Sequence, residues 1–259
     1  MNEELGKIST WLRVNKLTIN YSKSNFMVFT RKKSDSICIK IDDVALKQVN
    51  EVKYLGVVLN ESLNWKGHIN DLRKKIVRGS YILAKLRHYV CLPTLKMVYF
   101  SLIHPHLSYC CTSWGGAAPS ILLPLVRLQK KIMRLITFSS YDSHSPPLFH
   151  RLKILPLDYL YKYNLALTFH KINNNNISVG NHNLVPINNI HHYNTRLSTS
   201  NNFYQPYNRI RIGQSTYSSQ GIKFWRCLPN ELKCLPFNRF KFKLKQFLFD
   251  MLKESIDLQ

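Results

Sequence analysis

An α+β fold is predicted for this 259-residue chain: a small β-rich amino-terminal piece followed by a mainly α-helical remainder. Three observations predict it. Short apolar or alternating runs separated by turn residues fill the stretch from Leu17 to Leu59. From Trp65 onward the apolar residues step by three and four. A composition of 45% hydrophobic and 12% aromatic residues can bury one sizeable core or two small ones, which excludes general disorder.

Taken in order, residues 2–14 read as a short helix with Leu5, Ile8, Trp11 and Leu12 on one face. LTIN and NFMVF, joined by Tyr21 to Ser24, read as a hairpin. Strand chemistry continues through ICIKI, a tight turn at Asp42 and Asp43, VALKQV and KYLGVVL. Trp65, Ile69, Leu72, Ile76, Gly79, Leu83, Leu86 and Val90 then line one side of a long helix. Its opposite stripe carries Lys74, Arg78, Tyr81 and Lys85, which advance by whole turns. A second helix follows Pro93, with Leu95, Val98 and Leu102 apolar and a kink expected at Pro105. A third opens near Ser120, with Ile121, Leu125, Leu128, Ile132 and Leu135 inward and Arg127, Lys130, Lys131 and Arg134 outward. Another follows Pro156 and ends in a polar linker at Asn173 to Asn176. Residues 184–215 read as mostly extended, and Gly221–Leu228 and Phe240–Leu252 as helical.

Charge divides unevenly along the chain. The total is +23; residues 1–71 carry 11 basic and 8 acidic side chains, whereas residues 72–230 carry 20 basic ones against Asp142 and Asp158 alone. Such a field repels itself unless a polyanion or counterions neutralise it, which excludes an ordinary acidic enzyme and makes nucleic acid the leading partner, ahead of an anionic membrane surface. The two basic stripes are either solvated faces or binding faces; surface helices normally mix signs, and these stripes hold no carboxylate. MNEELGKIST lacks the apolar core of a secretory signal, so an intracellular protein is expected, nuclear or cytoplasmic. The 30 residues between Lys96 and Arg127 contain no charged side chain, yet His104, Pro105, His106, Gly115, Gly116 and Pro119 break any clean spanning run, and no membrane partner is expected.

Six cysteines form no CxxC and read as reduced, buried thiols; His104, His106, Cys110 and Cys111 lack the separated ligand pairs typical of zinc. Asp42 and Asp43 invite comparison with the paired aspartates that hold two Mg²⁺ ions in template-directed polymerases. That chemistry also needs a carboxylate from an earlier strand, and only Glu3, Glu4 and Asp35 lie upstream, so a solvated turn is expected. No phosphate-cradling loop, HExxH helix or GxSxG elbow is present. Trp225, beside Lys223 and Arg226, is read as a core anchor rather than a base stacker because Ile222 and Leu228 share its face. Arg196, Arg209 and Arg211 either touch RNA or are solvated.

Five blocks together resemble the carboxy-terminal part of reverse transcriptases from jockey-like non-LTR retrotransposons: NKLTINYSKSNFMVF, VNEVKYLGVVLNESLNWKGHI, LVRLQKKIMRLI, HHYNTR and GIKFWRCLPNELK, in that order. The resemblance implies a palm remnant at 1–62 (hairpin and primer-grip strands), a helical thumb at 63–140, a helical connector at 141–175 and a carboxy-terminal extension at 176–259. In that family the catalytic [F/Y]xDD loop lies upstream of the first block, so the resemblance implies no catalytic residue and no cofactor here, Mg²⁺ belonging to the longer enzyme. Lys23 matches the polymerase-motif lysine near the leaving pyrophosphate. Tyr54, Leu55, Gly56 and Val57 match the primer-grip turn, Gly56 otherwise marking a bulge in a buried strand. Lys74, Arg78, Tyr81, Lys85, Arg127, Lys130, Lys131 and Arg134 fall in the thumb, whose task is to hold an RNA or RNA–DNA template-primer by its phosphates. The missing fingers and palm are a further expected partner. The expected function is that of a truncated RNA-directed DNA polymerase, inactive alone, or a host interaction module derived from one.

Overall fold

The computed structural model describes residues 2–30, 37–174, 184–190, 193 and 202–257. They divide into two units, Met1–His68 and Ile69–Gln259. The α+β class is as the sequence predicts: among the described residues the short strands all lie in the first unit and helices make up most of the second.

The first unit opens with α1 (Asn2–Val14), whose contacts are to β2 (Lys40–Ile41). β2 pairs antiparallel with β3 (Val44–Ala45) through a turn in which Asp42 (φ 46°) and Asp43 (φ 64°) are both left-handed, the geometry that matches strand twist. The face of α1 differs from expectation. Ile8 and Trp11 are exposed and Ser9 is buried, because Ser9 donates to the Asp42 carboxylate, which also accepts from Tyr21 and pairs with Arg13 at 3.0 Å. Those contacts fix α1 through its polar residues.

The hairpin expected at 17–29 does not form. Tyr21–Lys23 is a 3₁₀ turn capped by Asn20, whose side chain accepts from the Lys23 amide, and β1 (Asn25–Phe26) pairs in parallel with β4 (Lys47–Gln48). A side-chain cap offers the backbone a local alternative to the ladder, and the second strand is supplied by a distant segment. β5 (Glu51–Tyr54) and β6 (Val57–Asn60) form an antiparallel hairpin, with Leu55 and Gly56 both at positive φ. Gly56 therefore sits in a tight turn and not in a bulge.

α2 (Lys66–Leu86) leads into the second unit, followed by α3 (Leu92–Leu102), α4 (His104–Ser108), α5 (Cys111–Trp114), α6 (Pro119–Thr137), α7 (Ser145–Leu152), α8 (Leu157–Asn173), α9 (Arg211–Gln214), α10 (Tyr217–Cys227), α11 (Asn230–Lys233) and α12 (Phe237–Asp257). The predicted inner face of α2 is buried at Ile69, Leu72, Ile76 and Leu83, and the expected kink is a break at Ile103, with Pro105 in the first turn of α4. No helix among the described residues is long and apolar enough to cross a membrane. The inner face of α6 is rotated from expectation: Leu122, Leu125, Gln129, Ile132, Met133 and Ile136 are buried, while Ile121, Leu128 and Leu135 are only half-buried. The rotation admits Gln129, which donates to Tyr99 Oη and to the Leu155 carbonyl, each at 3.0 Å, and accepts from the Leu157 amide at 2.9 Å. Its carbonyl thereby caps α8, whose first amides have no intrahelical partner.

Four of the six cysteines, Cys38, Cys91, Cys227 and Cys234, are exposed and only Cys111 is buried, which corrects the expectation of core thiols. The 184–215 region is less extended than expected: Ile187–Asn189 is a 3₁₀ turn and Arg211–Gln214 a helix. Arg196 and residues 175–176 of the expected linker lie outside the described residues.

An aromatic cluster holds α8, α10 and α12 together. Trp225 is fully buried, as predicted, with ring centroids 6.3 Å from Phe169 and 6.1 Å from Phe240. Gly221 lets α10 approach α8, since a Cβ there would meet Phe169 Cε2 at 2.0 Å. His170 stacks on Phe240 at 4.1 Å; its Nε2–H donates to the Leu235 carbonyl at 2.8 Å, and Nδ1 accepts from Asn174 at 3.1 Å. Burial lowers its pKa, outweighing the Leu235 bond, and burial likewise lowers His104 and His106. A depressed imidazole is neutral in the folded chain while the unfolded chain takes up the proton, so its contribution is complete above 6.5, the ordinary value, and is lost as pH falls towards the folded pKa. Thermal midpoints measured between about pH 8 and pH 5 should fall on acidification, and His170→Gln should flatten the profile. Identical profiles for both chains would refute the assignment to His170.

Candidate nucleic-acid interface

The α2 stripe is exposed along its length. Lys74, Arg78, Tyr81 and Lys85 all face solvent, Tyr81 at 63%, and Lys85 Nζ lies 5.6 Å from the Tyr81 ring centroid. Helical geometry sets this arrangement, because residues three and four apart stack above one another while the Ile69, Leu72, Ile76 and Leu83 side is drawn into the core. The helix contains one carboxylate, Asp71, which pairs with Lys75 at 3.2 Å, one turn along. Among the described residues no ion pair engages Lys74, Arg78 or Lys85. Asn70, Arg73, Lys74, Val77 and Arg78 line a shallow depression of about 470 Å³. Arg73 joins this face although the three-and-four stepping did not single it out.

On α6, Arg127, Lys130 and Lys131 are exposed. Arg134 departs from the outward position expected of it: it is half-buried, its Nε donates to the Ser143 carbonyl at 2.8 Å, and its guanidinium carbon stands 5.9 Å from the Tyr141 ring. It latches the loop after α6. The carboxyl ends of the two helices meet where Arg87 stacks on Phe138, guanidinium carbon to ring centroid 4.5 Å, with His88 edge-on at 6.3 Å. Arg134 lies one turn before Phe138, so the basic residues of α6 run up to this contact. Phe138 is 52% exposed and adopts φ 57°, a left-handed backbone costing a bulky residue about 1–2 kcal/mol. Sequence reasoning missed Arg87 and Phe138. Glycine or asparagine is the usual signal for such a cap, and neither is there.

In the first unit, Lys23 is exposed within its 3₁₀ turn. Tyr54 and Leu55 project at 62% and 73% exposure from the β5–β6 turn, while Val57 is buried. Asp42 and Asp43 do not fit a pair of Mg²⁺ ions. Hydrogen bonds from Ser9 and then Tyr21, with Arg13 beside them, hold the Asp42 carboxyl below its ordinary value, and both its oxygens already have partners. Among the described residues no group of three or more His, Cys, Asp or Glu side chains gathers as metal ligands would; His104 packs beside Phe100 at 5.1 Å. Trp225 is buried, Arg226 donates to the Phe203 carbonyl, Lys223 and Arg209 are exposed, and the Arg211 side chain lies outside the described residues.

No protein-family model matches the chain, and no solved structure does. Curated relatives do. The probable RNA-directed DNA polymerase from transposon X-element of Drosophila melanogaster is 32% identical over 151 residues, 57% of this chain and 17% of that protein. The RNA-directed DNA polymerase from mobile element jockey of Drosophila funebris is 30% identical over 141 residues, 53% of this chain and 15% of the relative. The probable RNA-directed DNA polymerase from transposon BS of Drosophila melanogaster is 27% identical over 146 residues, 54% and 16% respectively. The matched region spans less than a fifth of these relatives' length. About half of this chain is thus a region related to the reverse transcriptases of jockey-like non-LTR retrotransposons.

Proposed function

We propose that this chain is a segment of a non-LTR retrotransposon RNA-directed DNA polymerase, corresponding to the end of the palm, the thumb and the carboxy-terminal extension, and that it holds the template-primer by its phosphates without catalysing polymerisation alone. One observation carries the reading. Lys74, Arg78 and Lys85 on α2, with Arg127, Lys130 and Lys131 on α6, present six exposed cations on two stripes that contain no carboxylate. Phosphate contacts of this kind fix register on a duplex and need no base readout. Tyr54, Leu55, Gly56 and Val57 would serve as the primer grip, the tight turn bringing backbone close to the primer strand. Lys23 would act near the leaving pyrophosphate only beside catalytic aspartates and Mg²⁺ contributed by other parts of the polymerase, which are its natural partners.

Neutralising about six phosphates predicts that log K falls with log[salt] at a slope near −5 for a duplex. Fluorescence anisotropy of a labelled RNA–DNA hybrid, titrated with the full chain across a salt series, measures this. A flat response would overturn the reading, and so would Mg²⁺-dependent primer extension abolished by Asp42→Asn or Asp43→Asn.

A further inference from the structure

We infer that Phe138, seated on Arg87 where α2 and α6 end, is a stacking platform for an unpaired nucleobase at the end of the bound duplex, with the Arg87 guanidinium against the adjoining phosphate. The inference rests on the phosphate-binding reading of the two stripes and adds a base-contacting element to it.

Phe138 is a large aromatic left 52% exposed at a position where helices usually place a residue tolerant of positive φ. Such an outlier persists only when its surroundings enforce it, and here they do. Arg134 Nε holds the Ser143 carbonyl at 2.8 Å, the Ser139 amide returns to the Arg134 carbonyl at 3.0 Å, and Thr137 Oγ1 meets Ser139 Oγ at 2.8 Å. The ring is thus presented on a tied loop. Arg87 lies 4.5 Å from its centroid, and the buried Arg87 Nε has no hydrogen-bond partner among the described residues. Tyr141, 81% exposed and 5.9 Å from the Arg134 guanidinium, adds a second aromatic to the same loop. Asp142 is the one carboxylate on the loop, against Arg87 on Phe138 and Arg134 on Ser143. Aromatic faces interleaved with cations suit stacked bases and their phosphates, so charge complementarity favours nucleic acid over an apolar protein segment.

The test compares Phe138→Leu, which keeps apolar bulk and the strained backbone but has no π face, with Phe138→Trp. Three probes are titrated against the full chain: a blunt RNA–DNA duplex, the same duplex with a short overhang carrying 2-aminopurine, and a 2-aminopurine single strand. Phe138→Leu should bind the overhang duplex about tenfold more weakly and lose the fluorescence quenching. Phe138→Trp should retain both, and blunt-duplex affinity should be the same for all three chains. Wild-type affinity and quenching in Phe138→Leu, with blunt binding intact, would overturn the platform while leaving the phosphate reading standing. Absence of blunt binding by the wild-type chain would instead overturn the phosphate reading, and the single strand would still report whether Phe138 stacks.

Discussion

Reversing Lys74, Arg78, Lys130 and Lys131 to Glu together is expected to weaken binding of an RNA–DNA duplex by about 10³-fold near 0.1 M salt, and to bring the salt slope from near −5 to near −2. Each lost phosphate contact removes close to one unit of slope and, at that salt, somewhat less than tenfold in affinity. All four side chains are exposed and none has an ion-pair partner among the described residues. Arg134 is left alone, since its bond to the Ser143 carbonyl means that reversing it would unlatch a loop as well as remove a charge. Four reversals, at two charges each, take the formal charge from +23 to +15. Self-repulsion falls, so the thermal midpoint should not drop. A variant that melts like the parent and binds the duplex with unchanged affinity would remove the two stripes from any role in nucleic-acid binding.

Gln129→Leu should be the most damaging single change to the second unit. Its side chain sits 2% exposed between α3, α6 and the start of α8, and it satisfies the Tyr99 hydroxyl, the Leu155 carbonyl and the Leu157 amide at once. Leucine keeps the volume and strands all three. Each buried polar group left without a partner costs about 1–3 kcal/mol, and partial relaxation brings the total to about 3–5 kcal/mol, a large part of a typical domain's stability. Equilibrium unfolding in urea measures it directly. Adding Tyr99→Phe should recover part of the loss, because the two groups share one network and their effects are not additive. A loss below about 1 kcal/mol would show that Gln129 is not the link described.

Much of this architecture is legible in the residues because it is local. The stepping of Ile69, Leu72, Ile76 and Leu83 is enough to place α2, and the same period puts Lys74, Arg78 and Lys85 on its far side. Pro93 and Pro156 each mark a helix start, and Ile222 and Leu228 on the face of Trp225 foretell its burial. The failures share a cause. LTIN and NFMVF have strand composition, yet β1 takes its partner from Lys47–Gln48, 22 positions on, which no local rule identifies. Ile8 and Trp11 promised the inner face of α1, but hydrogen bonding to Asp42 turned Ser9 inward. Gln129, written between Leu128 and Lys130, gives no sign in the sequence that three polar groups from other elements converge on it.

The helical period, the concentration of positive charge after residue 71 and the family likeness are written in the residues themselves, because they follow from backbone geometry and from the order of residues along the chain. The roles of Asp42 as an anchor for α1, of Arg134 as a latch and of Phe138 as a ring held outward on Arg87 emerge in the folded chain alone. Each of those outcomes depends on hydrogen-bond or packing partners distant in sequence. The free energy of such contacts is realised only when folding brings the partners within a few ångströms.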